Sequence, residues 1–99
     1  MIYKTPVKIH EPNYREVQNE IVEGINNLKE DEDVIIDLEQ TKYVSSAGLI
    51  PLMIGYKEAK EKGCEFKAIN PQPIVEEIFR LTGLNKSFLG DENTSDKTK

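Results

Sequence analysis

Val34-Ile-Ile-Asp-Leu-Glu-Gln-Thr-Lys-Tyr-Val-Ser-Ser-Ala-Gly-Leu49 reads as a buried strand, a short connection and the start of a helix. The run Val34 to Leu38 is almost continuously apolar and rich in β-branched residues, which suits a strand covered on both faces, as in a parallel sheet. After a six-residue connection, Glu39 to Val44, comes Ser45-Ser46-Ala47-Gly48-Leu49, and apolar residues then recur at Leu49, Leu52, Met53 and Tyr56 with helical spacing. Pro51 constrains where that helix begins, because a proline fits the first turn, where its missing N–H would have had no partner. The helix is therefore expected to start near Ala47 or Gly48, with Ser46 at or just before the N-cap. Unpaired N–H groups and the positive end of the helix dipole meet there. A phosphate on Ser46 would be well accommodated.

The chain has 99 residues, enough for one core, and 37% of them are hydrophobic. The formal net charge is −5, so nucleic acid has no electrostatic basis as a partner, and a protein partner carrying basic residues is expected instead. No apolar run approaches the roughly 20 residues of a membrane span, and Met1-Ile-Tyr-Lys-Thr-Pro6 lacks the apolar core of a signal peptide, which points to the cytoplasm. The lone Cys64 lies in the alternating pattern Cys64, Phe66, Ala68 and reads as a small buried hydrophobe.

Outward from the central strand, Val7 and Ile9 alternate with Lys8 and His10, a short strand placed at a sheet edge by Pro6. Asn13 followed by Glu16 marks a helix start, and Tyr14, Val17, Ile21, Ile25 and Leu28 form its inner face. Glu30, Asp31, Glu32 and Asp33 read as a solvated loop; a calcium loop would need alternating ligands around a glycine. The second helix ends at Gly63 and a strand follows from Glu65 to Ile69. Asn70-Pro-Gln-Pro73 leads into a third helix with Ile74, Val75, Ile78 and Phe79 inward, closed by Gly83 with Leu84 packing back. Phe88 and Leu89 suggest a short edge strand. Residues 1–90 are expected to form one domain and 91–99, without an apolar residue, a disordered polar tail. Alternating strands and helices predict an α/β fold, a small, mostly parallel mixed sheet flanked by helices. Function in such sheets gathers beyond the carboxyl ends of the strands, where the Ser46 turn falls.

Ser45-Ser46-Ala47-Gly48 admits three readings: a plain helix cap, a nucleophile elbow, or a recognition site. The elbow G-x-S-x-G finds its second glycine in Gly48, but Val44 stands where the first belongs. The only histidine, His10, precedes the serine, so no base follows it, and no phosphate-cradling glycine loop is present. The chain is therefore expected not to be an enzyme, with no catalytic residue, no metal and no cofactor.

Two stretches carry a family resemblance. Val34-Ile-Ile-Asp-Leu38 runs through Glu39 and Gln40 into Tyr43-Val-Ser-Ser-Ala-Gly-Leu49, and Asn70-Pro-Gln-Pro-Ile-Val-Glu-Glu-Ile-Phe-Arg-Leu-Thr-Gly-Leu84 is followed by Phe88. From Asp33 to Leu89 the chain resembles the STAS domain family, and within it the bacterial anti-sigma factor antagonists. The resemblance implies a switchable binding module. Its unmodified form would bind an anti-sigma factor that is also a serine kinase, phosphorylation would end that binding, and a phosphatase would restore it. Ser46 matches the family's phosphoacceptor, with Ser45 the lesser candidate, and Ser45, Ser46, Ala47, Gly48 and Leu49 would meet the partner. The chain departs from the family pattern in three places: Ser45 occupies an often acidic position, one strand instead of a hairpin precedes Asn13, and no C-terminal helix follows Leu84. A constitutive STAS scaffold subunit of a transport or stress-signalling complex, never phosphorylated, is the alternative.

Overall fold

The computed structural model describes residues 1–29 and 32–89. Glu30 and Asp31 of the expected acidic loop, and the polar tail 91–99, lie outside the described residues; Glu32 and Asp33 are exposed.

The central strand is β3, Val34–Asp37. It pairs in parallel with β1, Ile2–Lys4, on one side and β5, Phe66–Ile69, on the other. A second, two-stranded sheet joins β2, Lys8–Ile9, to β4, Tyr43–Val44, with Lys8 opposite Tyr43 and Ile9 opposite Val44. Every strand pair among the described residues is parallel, within the expected small, mostly parallel α/β sheet. Val34, Ile36 and Leu38 are fully buried, consistent with a strand enclosed by neighbours.

β1 corrects the sequence reading, which found only one strand before Asn13. Its alternation covers just three residues, and the strand is made by long-range pairing: the Ile35 amide donates to the Met1 carbonyl at 2.8 Å and the Thr5 amide to the Asp37 carbonyl at 3.1 Å. A second correction concerns Phe88 and Leu89, which belong to a short helix, α4, Asn85–Leu89, not an edge strand. Phe88 there stacks at 5.2 Å from Phe79 and 5.7 Å from Phe66, so an aromatic cluster decides the local conformation. α4 also supplies a helical turn after Leu84 where the resemblance found none.

The helix α1, Tyr14–Asn26, buries Val17, Ile21 and Ile25 against α2, Ser46–Lys62. The line of α2 that faces inward is partly made of small residues: a Cβ on Gly55 would come within 2.9 Å of Ile21 Cγ2 and 3.1 Å of Phe66. That line leaves Met53, expected inward, 47% exposed. The same holds for Ile74 of α3, Pro73–Leu81, whose inward pair is Val75 and Phe79, four residues apart. Gly63, at φ 83, caps α2 in the left-handed region. Leu84 closes α3 by donating its amide to the Phe79 carbonyl at 2.8 Å, with Gly83 at φ 77. Cys64 is buried and belongs to the single core cluster of the described residues.

Candidate functional site

The site is built where β4 hands over to α2. Ser45 is extended, with φ −82 and ψ 176, and its hydroxyl accepts from the Gly48 amide at 3.1 Å. Ser45 is therefore the N-cap and Ser46 the first helical residue, one step earlier than expected. The earlier start puts Pro51 in the second turn, where it withholds a hydrogen bond from the Ala47 carbonyl; the helix continues because the loss falls so near its end. Ser46 is exposed, and no hydrogen bond engages its hydroxyl among the described residues. The two serines have separated roles: one oxygen caps, the other is free.

Beneath this turn lies the β2 backbone. The Ser45 amide donates to the Ile9 carbonyl at 3.0 Å, and a Cβ on Gly48 would stand 2.0 Å from that same oxygen. Gly48 is thus a packing glycine: any side chain would collide with main chain. Gly48 and Leu49 are both buried, Leu49 at 8% exposure, and offer little surface of their own. Ser45, Ser46 and Ala47 stay at the surface. Beyond them α2 exposes Ile50 and Met53, four and seven positions after Ser46 and so on the same helical face. Tyr43 of β4 and Val7, just before β2, are exposed as well.

Parallel pairing of β2 with β4 brings in residues that sequence spacing kept apart. His10 follows Ile9 as Ser45 follows Val44, so the histidine stands beside the serine turn. The one local cue was the alternation Val7 to His10, which located β2 but not its partner strand. His10 is half-buried, and no hydrogen bond joins its ring to either serine among the described residues. Its backbone instead shapes the turn into α1: the His10 amide donates to Asn13 Oδ1 at 2.9 Å, and Asn13 Nδ2 donates to the Lys8 carbonyl at 2.8 Å. Asn13 consequently spends its side chain on the β2 turn and gives α1 no side-chain cap.

The loops on the same edge of the sheet are fastened from within. Asp37, 8% exposed, accepts from the Glu39 amide at 3.0 Å and from Asn70 Nδ2 at 3.3 Å; Asn70 holds the left-handed conformation at φ 57. Thr5 and Thr41 share a buried hydroxyl contact, and Thr41 Oγ1 donates to the Pro6 carbonyl at 2.7 Å. These bonds fix the segment that feeds β4 and so the Ser46 turn. Among the described residues no group of three or more His, Cys, Asp or Glu is placed to hold a metal ion. No described helix is long and apolar enough to cross a membrane.

The fold is similar to that of an anti-sigma-factor antagonist (STAS) domain protein from Planctomyces limnophilus, with a TM-score of 0.76 at 18% identity over 90% of this chain and 79% of that one. It is also similar to a sulfate transporter family protein from Wolinella succinogenes, with a TM-score of 0.67 at 13% identity over 92% of this chain and 73% of that one. Residues 1–98 match the STAS domain, which spans both stretches of the expected resemblance and the N-terminal strands. The chain belongs to the STAS domain family.

Proposed function

We propose that this domain is a phosphorylation-switched binding module of the anti-sigma factor antagonist kind. Unmodified, it binds an anti-sigma factor with serine kinase activity; phosphorylated on Ser46, it lets that partner go, and a phosphatase resets it. The observation that carries the reading is the division of labour at the cap. Ser45 Oγ is committed to the Gly48 amide while the Ser46 hydroxyl is exposed on a surface that also offers Ala47, Ile50 and Met53. A phosphate there adds nearly two negative charges in the middle of a contact. Desolvating such a charge without a partner costs on the order of 2 to 5 kcal/mol, or roughly 30-fold to several-thousand-fold in affinity. On the domain itself the phosphate meets the free N–H groups of the first helical turn, so the fold is expected to tolerate it. The domain acts without catalysis of its own: the partner supplies ATP and magnesium, and this chain the hydroxyl.

The test is capture of partners from the source cell by wild-type, Ser46→Ala and Ser46→Glu proteins, followed by incubation with ATP and mass spectrometry. Wild type and Ser46→Ala should retain a serine kinase, only wild type should be released by ATP, and Ser46→Glu should fold normally and capture little. Phosphate on Ser45 alone, or equal capture by Ser46→Glu, would sink the switch. The likeness to the Wolinella sulfate transporter family protein favours a second reading, a constitutive scaffold subunit. That reading requires all three proteins to capture the same complex, with no effect of ATP.

A further inference from the structure

The chain has 18 acidic residues in 99, yet the run Gln40 to Lys57 contains none, and neither does Met1 to His10. The fold brings the end of the first run, Val7 to Ile9, against Lys42 to Ser45 of the second. Lys8 is the ladder partner of Tyr43, the Lys42 amide donates to the Val7 carbonyl at 2.7 Å, and the Ser45 amide to the Ile9 carbonyl at 3.0 Å. The exposed residues of the strand pair that leads into Ser46 and of the first turns of α2 are therefore the apolar Tyr43, Ile50 and Met53 and the cations Lys8 and Lys42, with the half-buried His10 and a single acid, Glu11, at the end of the pair. Lys8 and Lys42 are exposed and have no ion-pair partner among the described residues. Of the acids that bracket the two runs, Glu39 lies in the β3–β4 turn and Glu58 in the fourth turn of α2, while Glu11 directly follows His10 in the turn before α1 and is the one acid next to the strand pair. At physiological ionic strength a charge more than about 8 Å away is largely screened, so a partner touching this surface feels the local lysines and not the net charge.

We propose that the Ser46 surface docks an acidic, apolar protein surface, with Lys8 and Lys42 as the pairing cations flanking the apolar contact. This rests on the switch reading and deepens it. It reverses the expectation, drawn from net charge alone, of a basic partner. It also gives the switch a second lever, because a phosphate on Ser46 sets a negative charge directly against an acidic partner.

The probe is the serine kinase that wild-type protein captures, with ATP and magnesium. Its affinity for Ser46→Ala protein and its KM and kcat on wild-type background are compared across three charge variants. Lys8→Glu with Lys42→Glu should weaken binding and raise KM about tenfold or more, with kcat little changed, and the loss should shrink at about 0.5 M salt. Lys8→Gln with Lys42→Gln should fall between, which guards against misfolding of the reversed variant, as should matching thermal melts. Lys67→Glu with Lys86→Glu makes the same change in net charge at other exposed lysines and should leave affinity within about twofold. The inference is overturned if both reversed pairs weaken binding alike, or if the Lys8 and Lys42 pair has no effect. If wild-type protein gains no phosphate from any kinase it captures, the switch reading itself falls first and this surface with it.

Discussion

Gly48 and Ser45 set the site's geometry, and each makes a separate demand on its side chain. A Cβ at position 48 would press to 2.0 Å of the Ile9 carbonyl oxygen, a main-chain atom that cannot step aside without moving β2. Gly48→Ala should therefore destabilise the domain by about 2 to 4 kcal/mol, although alanine is the better helix former, and urea unfolding will measure it. An unchanged midpoint would mean that β2 yields easily. Ser45→Ala removes only the cap, which typically costs about 1 kcal/mol. Thermal unfolding of that variant should show the loss while mass spectrometry still finds phosphate on Ser46. Both positions looked like parts of a contact surface in the sequence. Burial separates them: an exposed glycine and a buried one have the same spacing, and only the β2–β4 register shows which this is.

At the scale of elements, the strands and helices that announce themselves by period were legible: α1, β3, α2, β5 and α3 all lie where apolar spacing places them. The elements that depend on distant partners were not. β1 exists because Ile35 and Asp37 bond to it, and α4 because Phe88 finds Phe66 and Phe79. β1 is also tied to α1 by the Tyr3 hydroxyl, which donates to Glu20 Oε1 at 2.5 Å. Burial, reinforced by the Glu20 carboxylate, raises the Tyr3 phenol well above its ordinary value of about 10. The folded chain thus keeps a proton that the unfolded chain releases. The contribution is intact below about pH 10 and is lost as pH rises beyond it. Urea midpoints between about pH 9 and 11 should fall more steeply for wild type than for Tyr3→Phe. Parallel slopes would show that the tyrosine takes no part in the alkaline loss.

For the whole molecule, the family membership and the strand-to-helix turn at Ser45 and Ser46 were readable, while the surface around it was not. Lys8, His10 and Lys42 join Ser46 only through the pairing of two-residue strands, and such short strands leave almost no periodic signal. Ile50 and Met53 are apolar in a helix with apolar residues nearly all round, so their exposure follows from where α1 lies. The cap built from Ser45, Gly48 and the Ile9 carbonyl has one further consequence, and it concerns time. Because the turn is pinned on both sides, a phosphate added to Ser46 alters charge without a refolding step. Amide shifts between the two forms should then be confined to about residues 43–50, and Leu49 should exchange its amide only with the global opening of the domain in both. Widespread shifts would reveal a relay through the fold. Under the proposed switch, with no slow conformational state to relax, the domain would carry no memory beyond the phosphoester bond, and the lifetime of the signal would equal the lifetime of that bond.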